Sequence, residues 1–121
     1  EVQDEARACY ARKLSKEEGH IDWTRDAPAI SRLIRAFNPW PGTYTDLDDL
    51  RIRIHQAEIL DDTSDKHPGT VIRRDREGID IACGLESLRI TRLQLSGSRP
   101  QSVNDLINGG KDILMPGQEL N

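Results

Sequence analysis

Aromatic residues are scarce: they make up 4% of the 121-residue chain, as two Trp, two Tyr and one Phe. Hydrophobic residues reach 36% against 31% charged, so a single core is possible but not a large one. Cysteine is scarcer still. Cys9 and Cys83 lie far apart with no CxxC spacing, which argues against both a zinc site and a disulfide framework. Cys83 falls in phase with neighbouring apolar strand positions, as a small buried residue would. No apolar run approaches the roughly 18 residues of a membrane helix, and nothing resembles a signal peptide. Net positive charge is missing too: the formal charge is −4 and the pI about 5.3, so a basic coat for nucleic acid or membrane is not the default reading. An initiator Met is also lacking. The chain starts Glu-Val-Gln-Asp, and the expectation is a fragment of a longer polypeptide.

The residues present are well ordered along the chain. Residues 1 to 20 are dense in charges of alternating sign and poor in apolar periodicity, which reads as a linker or helical tail. Tyr10 and Leu14, four apart, could pin one helical turn onto a neighbour. Ala27 to Phe37 predicts a helix: Asp26 is a good N-cap, Pro28 fits the first turn, and Ile30, Leu33, Ile34 and Phe37 form one apolar stripe. Asn38 and Pro39 end it.

Beyond Gly42 the apolar period drops to two. Thr43 to Leu47 and Leu50 to Ile59 predict a hairpin about Asp48-Asp49, with Ile52 and Ile54 inward and Arg51 and Arg53 outward. Thr70 to Arg74 and Ile79 to Leu85 predict a second hairpin, in which Ile79, Ile81, Cys83 and Leu85 alternate. Leu88 to Leu95 follows, and its apolar phase slips between Leu88/Ile90 and Leu93/Leu95, the mark of a β-bulge. Ser102 caps a short helix through Asn108, with Asp105 at N3 and Gly109-Gly110 at its end. One helix, about five or six short antiparallel strands and a small last helix predict a curled, partly open β-barrel of the oligonucleotide-binding type.

Several stretches carry a family resemblance: IDW (21–23), RAFNPWPGTY (35–44), PGT (68–70) and the tail SVNDLINGG…PGQEL. In this order they resemble the C-terminal domain of bacterial methionyl-tRNA formyltransferase, and YARKLSKEEGHIDW resembles the connection to that family's catalytic half. The resemblance implies a mainly β fold: an open Greek-key barrel preceded by one amphipathic helix and closed by a short C-terminal helix. It divides the chain into an interdomain linker, 1–22, and the barrel domain, 23–121. It further implies a cytoplasmic, monomeric enzyme of translation initiation that moves a formyl group from 10-formyltetrahydrofolate to the methionyl group of initiator tRNA. In that family the chemistry and the folate belong to an N-terminal catalytic domain, absent from this sequence. No cofactor and no catalytic residue is therefore expected here. The implied partners are initiator methionyl-tRNA and the N-terminal catalytic domain of the same polypeptide, with no membrane.

Phosphate recognition needs cations gathered on one surface. The candidates for tRNA contact are Lys13 and Lys16 in the linker, Arg32 and Arg35 on the helix, and Arg51 and Arg53 on one strand face. Arg73, Arg74 and Arg99 complete the set, while Arg89 and Arg92 could extend it. Each also has a bland reading as a solvated charge; Arg73 and Arg74, for instance, adjoin Asp75. Many family members carry a lysine pair after the strand ending near Leu95; GSRP (97–100) leaves only Arg99. The acidic loop with Asp61, Asp62 and Asp65 should face away from RNA. Phe37, Trp40 and Tyr44 are read as wedging the helix onto the barrel, with base stacking by Trp40 as the competing role. His20 and His55 lack ligands at metal spacing, and His67-Pro68 falls in the Pro-Gly-Thr loop, so neither zinc nor acid–base chemistry is assigned. Two rival functions stand beside RNA binding. One is the C-terminal domain of 10-formyltetrahydrofolate dehydrogenase or of an aminosugar formyltransferase, without RNA. The other is a module that only docks on the catalytic half, a reading favoured by the low net basicity.

Overall fold

The computed structural model describes residues 19–38, 42–61 and 65–121. The expectations for Cys9, Tyr10, Lys13, Leu14, Lys16, Trp40 and Asp62 therefore lie outside the described residues.

Helix α1, Ala27–Phe37, starts where the Asp26 carboxylate accepts the Ala29 N–H at 2.8 Å, and Pro28 occupies the first turn. Ile30, Ile34 and Phe37 are buried and Leu33 is half-buried, which is the predicted stripe. Asn38 takes extended backbone (ψ 129°), as a residue before proline prefers, and the helix stops. The strands are β1 Thr43–Leu47, β2 Leu50–Leu60, β3 Val71–Asp75, β4 Gly78–Ala82, β5 Ser87–Leu95 and β6 Gln101–Ser102; helix α2, Val103–Asn108, follows. Ser102 caps α2 by accepting the Asp105 N–H at 3.1 Å.

The strands form one antiparallel sheet in the order β1-β2-β5-β4-β3, with β6 on β5. Since β3, β4 and β5 run as a meander and β2 returns beside β5, the connection is a Greek key. The expected phase slip is real and involves both strands. Ile54 pairs with Leu93, Gln56 with Arg92 and Ala57 with Ile90, so His55 is the extra residue on β2 and Thr91 on β5. Without that paired irregularity, Ile90 and Leu93 could not both point inward from one strand.

β1 and β3 are the sheet's edges, and the C-terminal segment fills the seam between them. Val71 donates to the Gln118 carbonyl and Leu120 to the Gly69 carbonyl, both at 2.8 Å. On the other side Asn121 donates to the Asp46 carbonyl at 2.9 Å. The Pro-Gly-Thr loop is shaped for this contact. Gly69 sits at φ 94°, and a Cβ there would lie 2.7 Å from the Leu120 carbonyl oxygen. The short helix contributes buried Val103 and Leu106, but the tail beyond it closes the barrel.

The core is aliphatic. Ile52, Ile79, Ile81, Leu88, Ile90, Leu93 and Leu106 are fully buried beneath Ile30 and Ile34 of α1. Burying each such side chain is worth about 1.5–3 kcal/mol. Among the described residues the buried indole is Trp23, whose Nε1–H donates to Thr45 Oγ1 at 2.9 Å. Two expectations are corrected. Tyr44 does not wedge α1: between buried Thr43 and Thr45 the two-residue period turns it outward, under the Arg51 guanidinium at 4.0 Å. Leu85 is 54% exposed because β4 ends at Ala82 and the chain turns through a left-handed Glu86 (φ 64°). Phe37 is buried as expected.

Candidate nucleic-acid interface

The outward face of β1, β2 and β5 is set by the alternation that buries Ile52 and Ile54. Arg51 and Arg53 must then project to the other side, where Arg53 stands opposite Gln94. Gln94 is the fixed point of this face. Its Nε2 donates to the Ser98 carbonyl at 2.8 Å, holding the β5–β6 turn, and its Oε1 lies 3.0 Å from His55 Nε2. Arg51, Arg53, Gln94 and Gly97 line a hollow of about 300 Å³. The left-handed Gly97 (φ 81°) turns the chain there and brings Arg99 round. Arg99, Gln101 and Lys111 line the adjoining hollow, which shares Gly97.

Arg92 is exposed on the same outward side of β5, opposite Gln56. Arg53, Arg92, Arg99 and Lys111 make no ion pair with another described residue. Arg51 is partly engaged: its Nε is 3.2 Å from Asp46, yet half of the side chain is open to solvent.

Arg32 and Arg35 are exposed on α1, and Arg35 borders a third hollow between the helix and the double bulge. Arg73 and Arg74 are placed otherwise. Arg73 is 2.6 Å from Asp75, whose carboxyl is held below its usual range first by the Glu77 N–H and then by Arg73. Arg74 spends its guanidinium on the Ile113 carbonyl at 3.0 Å and on the Lys111 carbonyl, so it pins the segment after α2. Arg89 is 2.8 Å from the buried Asp80 and 3.7 Å from Glu77. The bond to Asp80 pushes its pKa further up. Asp61 stands past the far end of β2 from Arg51; at about 3.3 Å per residue that is roughly 30 Å.

Lys111 was not singled out from sequence. It follows Gly109-Gly110, and only the path of the chain after α2 sets it beside Arg99. Gln94 and His55 were likewise invisible as a linked pair. Among the described residues no group of three or more His, Cys, Asp or Glu could hold a metal ion. Burial pushes the Cys83 thiol up to about 12, so it is no nucleophile near neutrality. No helix among the described residues is long and apolar enough to cross a membrane. What the face offers chemically is attraction for a polyanion, with amides fixed among the cations.

The chain matches the family described as formyl transferase, C-terminal domain, over residues 13–111. It is 70% identical over 121 residues to the methionyl-tRNA formyltransferase of Marinobacter nauticus, covering all of this chain and 39% of that protein. It is 44% identical to that of Idiomarina loihiensis over 123 residues, 98% of this chain and again 39% of the relative. The chain thus spans about two fifths of the length of these curated relatives. A crystal structure of HypX from Aquifex aeolicus in complex with tetrahydrofolic acid superposes with a TM-score of 0.65 at 18% identity, over 78% of this chain and 17% of that one. That likeness concerns the fold. An N-capped helix laid on a Greek-key barrel, the matched residues and the two relatives agree: the chain belongs to the formyl transferase C-terminal domain family.

Proposed function

We propose that this domain holds initiator tRNA for a methionyl-tRNA formyltransferase, the enzyme that formylates the methionyl group of initiator tRNA in translation initiation. The observation that carries the reading is the cation row, Arg53 and Arg92 on the outward side of β2 and β5 continued by Arg99 and Lys111 around the adjoining hollow, all unpaired among the described residues, on a chain 70% identical to such an enzyme. Identity at that level over the whole chain favours the tRNA enzyme over the dehydrogenase and aminosugar relatives. Formyl transfer and 10-formyltetrahydrofolate belong in this reading to an N-terminal domain of the same polypeptide, which acts as a monomer in the cytoplasm. The barrel itself supplies binding energy and orientation. Local field governs phosphate contact, so an overall charge of −4 is no obstacle. A gel shift of initiator tRNA with the intact polypeptide, titrated with salt, tests the reading. Affinity should fall steeply with salt, and the double variant Arg53→Gln/Arg99→Gln should lower both affinity and slope. A variant with unaltered affinity and slope would move the RNA off this face.

A further inference from the structure

The third hollow differs in kind from the other two. It lies between α1 and the double bulge, measures about 410 Å³ and is within the ~300–1,000 Å³ range of small-ligand sites. Its floor is apolar, from Ile34 and Ala57, and its rim carries Arg35, Asn38, Gln56 and Glu58. None of those four side chains bonds to another described residue. Ser31, which also lines the hollow, is only 6% exposed, and its hydroxyl has no hydrogen-bond partner among the described residues. Buried hydroxyls are seldom left so. The extra residues of the bulge, His55 and Thr91, both line this hollow, and bulges recur where a sheet must re-aim side chains toward a ligand.

A phosphate fits this site poorly, because the Glu58 carboxylate stands on the same rim as Arg35. A nucleobase fits it well. Bases present donors and acceptors together on one edge and a flat apolar face, and proteins read unstacked RNA bases with amides, imidazole and guanidinium planes. The hollow is also joined to the cation row: His55 lines it and is 3.0 Å from Gln94, which lines the hollow of Arg51 and Arg53.

Building on the proposed tRNA binding, we propose that this groove takes one unstacked nucleotide of the bound RNA, its backbone running on toward Arg53 and its base edge on Asn38, Gln56 and Glu58. The test places 2-aminopurine singly at each unpaired position of initiator tRNA and follows its fluorescence on binding to the intact polypeptide. One position should change strongly with the natural protein. The change should vanish in Asn38→Ala/Gln56→Ala, two exposed sites whose loss leaves the core alone, with affinity about tenfold weaker. Arg53→Gln should weaken binding yet keep the change at saturation. RNA binding with no responding position, or with a response untouched by the double variant, overturns the groove and spares the tRNA reading. Absence of RNA binding overturns both.

Discussion

The β3–β4 hairpin and the β1–β2–β5 face use arginine in opposite ways. On the hairpin side, Arg73 and Arg89 lie against Asp75, Glu77 and Asp80, and Arg74 is consumed by carbonyls. On the other face Arg53 and Arg92, and at its margin Arg99 and Lys111, are left without acidic partners among the described residues. Asp75, Glu77 and Asp80 are thus taken up by Arg73 and Arg89, within the hairpin and across to β5. Charge counted over a whole chain says little about a surface that segregates it.

The largest expected effect concerns Arg89, which reaches from β5 to the hairpin carboxylates. Arg89→Ala would leave Asp80, 7% exposed, buried without its guanidinium, and should cost about 3 kcal/mol in urea unfolding. Its affinity for tRNA per folded molecule should stay the same. A cost below about 1 kcal/mol would place this pair with ordinary surface bridges.

Charge reversal separates the faces next. Arg53→Glu should weaken tRNA binding by about thirtyfold at low salt, since it removes one phosphate contact and adds a repulsion. Arg73→Glu, already beside Asp75, should change binding by less than about threefold. Equal losses at the two positions would erase the distinction.

Smaller effects follow at the rim. Arg99→Ala or Lys111→Ala should each reduce the slope of log affinity against log salt by about one unit. If Lys111 alone left the slope unaltered, the interface would end at the β5–β6 turn.

The least effect is a pH dependence on the hairpin. Asp75 has a folded-state pKa below its ordinary 3.8, owing first to the Glu77 N–H. Its contribution is thus present above the ordinary value of 3.8 and is lost as pH falls through the lower folded value. The natural protein should show a slightly steeper acid-side decline in melting temperature than Asp75→Ala. Parallel curves would mean that this carboxylate contributes nothing.

How much was legible differs element by element. The bounds of α1 came directly from Asp26, Pro28 and the stripe of Ile30, Ile34 and Phe37, because capping and a 3.6-residue period are local signals. The slip between Ile90 and Leu93 likewise marked the bulge, though not that His55 on the facing strand shares it. Leu85 was misread because alternation was carried past the end of β4. At the site, the outward Arg51 and Arg53 were readable from strand period. The fate of Arg74 was not, since its carbonyl partners lie 37 and 39 residues away.

Sequence alone determined the helix, the first five strands in chain order and the aliphatic core positions other than Leu85, which rest on neighbours within a few residues, and the family resemblance, which rests on short motifs in order along the chain. Tertiary structure decided which cations are neutralised, that Lys111 joins Arg99, and that residues 118–121 close the barrel between Gly69 and Asp46. Those outcomes depend on contacts between distant segments. Chain periodicity carries no record of them, because pairing across a seam is chosen by shape and by the need to satisfy backbone groups rather than by spacing.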